Sequence, residues 1–212
     1  MPKAGRAYCP RCQYPLRTCV CSGIAPVSTT MNVRILQDPK ENEHAKNTAR
    51  LLQLLVANCS ISVGEFPIDF DSVIAELHNL GPRYQDKVLV LFPSENAVSL
   101  REVCQSSADL SYVIVLDGTW RKAKRLWLNN PWLHNLQSVA LSEEDSGVFY
   151  DVDYHIRKKP FAHSLSTLMA TAITLNALDG VSTTPFSNAL NALQSHWPCK
   201  SRSQQSISVL TI

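Results

Sequence analysis

At 212 residues the chain has the length of one ordinary domain with a small appendage, and its 45% hydrophobic content supplies a core, which excludes a disordered chain. The formal charge of +2 says little by itself, but it is gathered into three clusters: Lys3, Arg6, Arg11 and Arg17, then Arg121, Lys122, Lys124 and Arg125, then Arg157, Lys158 and Lys159; this suits a polyanion held across several loops, or a solvated basic surface. No apolar run reaches the roughly eighteen residues of a membrane span, no secretion signal is expected at the N-terminus, and the seven cysteines read as those of a cytoplasmic, reducing compartment.

Residues 1–26 carry Cys, Pro, Arg and Tyr with no helical or strand period, and they read as a small unit of their own. From Met31 onward strands and helices alternate. Val33 to Leu36 predicts a short strand, and residues 41–57 one helix with Ala45, Thr48, Leu51, Leu52 and Leu55 on a shared face. Residues 61–66 predict a second strand. Asp71 is placed to cap a helix that turns Val73, Ile74, Leu77 and Leu80 inward and stops at Gly81-Pro82. The apolar runs 87–92 and 112–116 predict strands buried on both faces of a parallel sheet. Helices are predicted over 119–128, 164–178 and 185–197, the last with Thr184 as cap and Pro185 in its first turn. The expected organisation is a Cys-rich knuckle (1–26), an α/β domain (27–198) and a polar tail (199–212).

Cys9, Cys12, Cys19 and Cys21 have the spacing C-x2-C-x6-C-x-C. Four thiolates so close in sequence close a tetrahedral zinc site, and with no position left for water that metal is structural. Cys59, Cys104 and Cys199 stand singly and read as core or surface thiols.

Ligands in open α/β sheets collect where strands end. The first strand end is Leu91-Phe92-Pro93-Ser94-Glu95-Asn96, which also reads as an ordinary helix start. The second is Leu116-Asp117-Gly118-Thr119-Trp120. Asp117 there is either a reactive carboxylate or a helix N-cap, and Gly118 permits a tight turn or a close approach. The following helix puts Trp120, Ala123 and Trp127 on one face, read as packing on the sheet, and Arg121, Lys122 and Arg125 on the opposite one, read as a phosphate-facing rim. A third segment, Tyr154-His155-Ile156-Arg157-Lys158-Lys159-Pro160, runs towards Leu165-Ser166-Thr167 at a helix start. Such a start receives carboxylates or phosphates, although Ser166 is equally suited to capping alone. His155 and His163 are further acid–base candidates. P-loop, dinucleotide-binding and common hydrolase motifs are absent.

Taken in order, the Cys knuckle, Ile35-Leu36-Gln37-Asp38-Pro39 with Glu41, Asn47-Thr48-Ala49-Arg50-Leu51, Leu91-Phe92-Pro93-Ser94, Leu116-Asp117-Gly118-Thr119-Trp120, and Ile156-Arg157-Lys158 with Leu165-Ser166-Thr167 resemble the DTW-domain proteins over most of the chain. That resemblance implies a SPOUT-like α/β sheet with helices on both faces and a C-terminal trefoil knot. It implies transfer of the 3-amino-3-carboxypropyl group of S-adenosylmethionine to N3 of a tRNA uridine, releasing methylthioadenosine. Asp117 would serve as base. Leu91, Phe92, Pro93, Ser94, Glu95, Leu116, Gly118, Thr119, Trp120, Ile156, Arg157, Leu165, Ser166 and Thr167 would surround the donor. Arg121, Lys122, Arg125, Lys158 and Lys159 would meet tRNA, and no DNA partner is expected. Two positions depart from the family pattern: Asp38 stands where His is usual, and Met169 where an acid is frequent. Two other readings are an RNA methyltransferase of the same superfamily and a zinc-knuckle RNA-binding protein without catalysis.

Overall fold

Strand residues that alternate in direction bury two different faces, and the sequence runs 88–91 and 112–117 have apolar side chains for both. A computed structural model describes residues 7–42, 44, 46–106, 109–142, 144–145 and 165–197. Its sheet has six strands: β1 (Asn32–Gln37), β2 (Cys59–Val63), β3 (Val88–Leu91), β4 (Val98–Ser99), β5 (Tyr112–Asp117) and β6 (Gln137–Ala140). Every pairing is parallel, in the order β2-β1-β5-β3-β6-β4. The mixed α/β expectation is met, with β5 at the centre and buried at all its positions.

The helices are α1 (Pro39–Asn42), α2 (Ala49–Leu55), α3 (Asp71–His78), α4 (Leu100–Gln105), α5 (Trp120–Asn129), α6 (Thr167–Asp179) and α7 (Thr184–Gln194). On one face of the sheet Val33, Ile35, Leu89, Val113, Val115 and Val139 pack with residues of α2, α4, α6 and α7. On the other, Leu36, Val88, Val90, Tyr112, Ile114 and Leu116 pack with α3, α5 and the turn at Pro131–Asn135. The sheet therefore carries helices on both faces, as a parallel sheet requires. The path from Asp145 to Leu165, on which the expected knot depends, lies outside the described residues, as does the tail.

Three expectations need correction. The single helix over 41–57 is instead α1 and α2, because Asn47 intervenes: its Oδ1 accepts from the Ala49 N–H (2.7 Å) and its Nδ2 donates to the Glu41 carbonyl (2.9 Å). A short amide side chain here competes with the helix ladder for backbone partners and starts a new helix. Asp71 is the first residue of α3 rather than its cap, with Phe70 at the cap position, and Thr184 is likewise the first residue of α7, with Thr183 at the cap position. Strands β4 and β6 and helix α4 were not expected.

The Cys-rich segment packs against the sheet domain. Cys9, Cys12, Tyr14 and Val20 join the core with α2 and α7. The Tyr14 hydroxyl donates to the Asn47 carbonyl (3.1 Å), and Arg50 lies over the Tyr14 ring. Gly23 fits against α7 so closely that a Cβ there would lie 2.5 Å from that of Ala192.

Candidate active site

The end of β5 meets the end of β1 because the two strands pair in parallel with Gln37 opposite Asp117. Asp117 is 4% exposed. Its Oδ2 accepts from Gln37 Nε2 (2.8 Å) and from Asn47 Nδ2 (3.3 Å), and its Oδ1 from the Thr167 hydroxyl. The capping reading of Asp117 is thereby set aside: it ends a strand, and Thr119 holds the N-cap position of α5. Both carboxylate oxygens thus accept hydrogen bonds from neighbouring side chains. Thr167 is the partly exposed member of this cluster, at the first turn of α6. Its hydroxyl, while donating to Asp117, keeps lone pairs for a second partner.

Ser166 caps α6, its Oγ accepting from the Met169 N–H (3.2 Å), and Met169 itself is buried in the core. Gly118 is required by a close approach: a Cβ there would meet that of Lys122 at 2.8 Å. Beyond the cluster, Arg50 shares a polar recess of about 220 Å³ with Gln37, Asn42, Asn47 and Gln53.

The cations of α5 divide into two groups. Arg125 pairs with Asp38 (2.6 Å) and Glu65 (3.0 Å), and Lys122 with Glu41 (2.8 Å) and Asp38 (3.5 Å). Asp38 is fully buried. Burial pushes its carboxyl up, but the Lys40 N–H, the Arg125 guanidinium and the Lys122 charge outweigh burial and hold it below the ordinary range. This network ties α5 to the loop after β1, whose Asp38 N–H also donates to the Asp117 carbonyl (3.1 Å). Arg121 and Lys124 are exposed, and neither makes an ion pair among the described residues.

Trp120 does not pack α5 on the sheet. Ala123 and Leu126 do so, while Trp120 is 54% exposed and stacks on Phe92. The expected face is met at Ala123 and at Trp127, which packs half-buried against the core, but Trp120 lies at the edge of the buried stripe. The loop after β3 lies in the same region, its Ser94 Oγ within hydrogen-bonding distance of Ser138 Oγ (2.5 Å).

The four N-terminal sulfurs lie within 4.8 Å of one another, with Cys9–Cys21 and Cys12–Cys19 both at 3.7 Å. A zinc tetrahedron with bonds of about 2.3 Å has edges of about 3.8 Å, so the arrangement fits a four-cysteine metal site and not disulfides. Backbone N–H groups of Cys12 and Arg11 bring the Cys9 thiol down to about 6, while burial and the neighbouring thiols push Cys21 up to about 12.

The structure thus brings Leu116, Asp117, Gly118, Thr119, Leu165, Ser166 and Thr167 into one region, and Phe92, Pro93, Ser94, Glu95 and Trp120 into a neighbouring cleft. Ile156, Arg157, Lys158, Lys159, His155 and His163 lie outside the described residues. Gln37 and Asn47 were not expected to hold Asp117. Their motifs were visible, but their meeting depends on β1 lying beside β5.

A family model of the DTW domain matches residues 6–198. The chain is 32% identical to tRNA-uridine aminocarboxypropyltransferase 2 of Drosophila melanogaster over 84% of its length and 69% of that relative's. It is 27% identical to the protein of the same name from Macaca fascicularis, over 84% of this chain and 58% of the relative. A tRNA-uridine aminocarboxypropyltransferase A of Arabidopsis thaliana is 26% identical over 82% of this chain and 73% of its own length. The chain spans well under two thirds of the macaque relative.

Proposed function

The chain belongs to the DTW domain family, and on that footing we propose that it transfers the 3-amino-3-carboxypropyl group of S-adenosylmethionine to N3 of a uridine in tRNA. The observation that carries this reading is a buried carboxylate at a parallel strand end, joined to a partly exposed hydroxyl at the start of α6. Relatives named for this reaction over most of the chain support it.

The imide N3–H of uridine is a weak acid and must lose its proton as N3 attacks. In this proposal the N3–H donates to the Thr167 hydroxyl, whose own proton passes to Asp117. Gln37 and Asn47 hold that carboxylate in place by donating to its Oδ2. The new bond joins N3 to the terminal carbon of the aminocarboxypropyl chain. The carbon–sulfur bond breaks with its electron pair going to sulfur, so the sulfonium leaves as neutral methylthioadenosine. A good leaving group makes positioning the larger task, and Leu91 with residues at 116–119 and 165–167 is proposed to hold the donor, while Phe92, Pro93, Ser94, Glu95 and Trp120 line the cleft beside it. The α6 N-terminus suits its carboxylate. The trefoil knot, the structural zinc and a role for Ile156, Arg157, Lys158 and Lys159 belong to the same proposal.

The test is the by-product formed from S-adenosylmethionine and unmodified tRNA. Methylthioadenosine is expected. S-adenosylhomocysteine would instead identify a methyltransferase, and no turnover with intact tRNA binding would identify a binding protein.

A further inference from the structure

A cleft of about 630 Å³ lies between α5, the loop after β3 and residues 134–138. One wall is a ladder of rings. Trp120 stacks on Phe92 with centroids 5.5 Å apart and planes 13° from parallel, Phe92 stacks on Trp127 at 4.9 Å, and Trp127 lies 4.6 Å from His134. Trp120 ends the ladder with more than half its surface open. Nothing in the packing of α5 calls for an indole there, since Ala123 and Leu126 already bury the helix.

Lys124 follows Trp120 by one helical turn, lines the same cleft and makes no ion pair among the described residues. It therefore differs from Lys122 and Arg125, whose charges are met by buried and partly buried acids. Amides of Asn96, Asn135 and Gln137 also border the cleft, offering both donors and acceptors. An open aromatic face, a neighbouring unmatched cation and edge-reading amides are the components of single-strand nucleic-acid recognition.

We propose that this cleft is a subsite for an unpaired nucleotide of the RNA substrate, with its base on the free face of Trp120 and its phosphate at Lys124. The inference rests on the tRNA reading above and adds where the strand is gripped. The phosphate selects the occupant: Lys124 makes no ion pair among the described residues and suits the phosphate that an RNA strand carries and S-adenosylmethionine lacks, while Glu95 is the acid that shares the cleft.

The experiment measures binding of an unmodified tRNA transcript to the full chain and to Trp120→Ala, Trp120→Phe and Lys124→Ala, beside calorimetric affinity for S-adenosylmethionine. Trp120→Ala is expected to weaken tRNA binding about five- to a hundredfold, with Trp120→Phe recovering most of the loss. Lys124→Ala should lower the salt slope by about one. Donor affinity should hold in all three, and tRNA carrying 5-iodouridine at unpaired positions should crosslink to Trp120. Unchanged tRNA affinity in Trp120→Ala, with transfer intact, overturns the subsite and leaves the transferase reading standing. A loss confined to donor affinity overturns it by assigning the cleft to the donor's adenine. Dissociation of a dimer by Trp120→Ala, with no effect on tRNA, overturns it in favour of a second copy of the chain. Wild-type protein that neither binds nor modifies tRNA removes both readings.

Discussion

Replacing Asp117 with Asn separates charge from shape at the centre of the site. The amide can present its oxygen to Gln37 and Asn47 and its NH2 to Thr167, whose hydroxyl then accepts. What is lost is charge assistance, about 1 kcal/mol per bond and so roughly 1–3 kcal/mol in all. For a chain of this size that lowers the melting temperature by less than about 10 °C. Asp117→Ala is harsher, because it removes the acceptor from two buried amide donors at about 1–3 kcal/mol each. Transfer should nevertheless fall about a hundred- to ten-thousandfold already in Asp117→Asn, since no proton acceptor remains. Thr167→Val should show a comparable loss, and Thr167→Ser should recover activity. Melting curves, donor calorimetry and single-turnover transfer read these effects separately. Wild-type-like transfer by Asp117→Asn would refute the proton-acceptor role, and a melting point as low as that of Asp117→Ala would refute the compensating flip.

The other predictions concern the framework around this cluster. The purified protein should contain one zinc per chain by elemental mass spectrometry, and Cys9→Ser with Cys12→Ser should lower melting by on the order of 10 °C, because the knuckle is packed into the core; a metal-free protein with unaltered melting would contradict this. Since Asp38 is held below its ordinary range, its contribution to stability is full above that range and disappears as pH falls through the lowered value. Asp38→Asn should therefore flatten the acid limb of the stability profile below about pH 4, as followed by thermal melts across pH. Neutralising Arg121 and Lys124 together should reduce the salt slope of tRNA binding by about two. Neutralising Lys122 and Arg125 should instead lower stability, because it strips partners from Asp38, Glu41 and Glu65; equal effects of the two pairs on the slope would sink this division.

The parts of the fold that could be read from sequence were those whose pattern is local. Continuous apolar runs mark β3 and β5, and Pro185 after Thr184 marks the start of α7. Strand β6, Gln137-Ser138-Val139-Ala140, has too few apolar residues for its pattern to show, and two-residue β4 has no period at all. Helix α4 did carry a signal: Ser99 and Glu102 form a capping box, the Ser-x-x-Glu spacing of a helix start. The break at Asn47 was hidden because its side-chain bonds outweigh a helical pattern that continues on both sides. Within the site, Asp117 and Thr167 stand in recognisable motifs, but their contact spans fifty residues of chain. Gln37 reaches Asp117 only through strand order. The two functions of the α5 cations were equally invisible, because helical spacing separates the faces without revealing that Asp38, Glu41 and Glu65 lie opposite one of them.

The central claim is tested most directly by mass spectrometry of nucleosides from tRNA incubated with S-adenosylmethionine and either the wild-type protein or Asp117→Asn. The account predicts uridine carrying the aminocarboxypropyl group with the wild type, together with one methylthioadenosine per modified nucleoside, and almost none of either with the variant. Methylated uridine, or tRNA returned unmodified by a wild-type protein that binds both substrates, would contradict it.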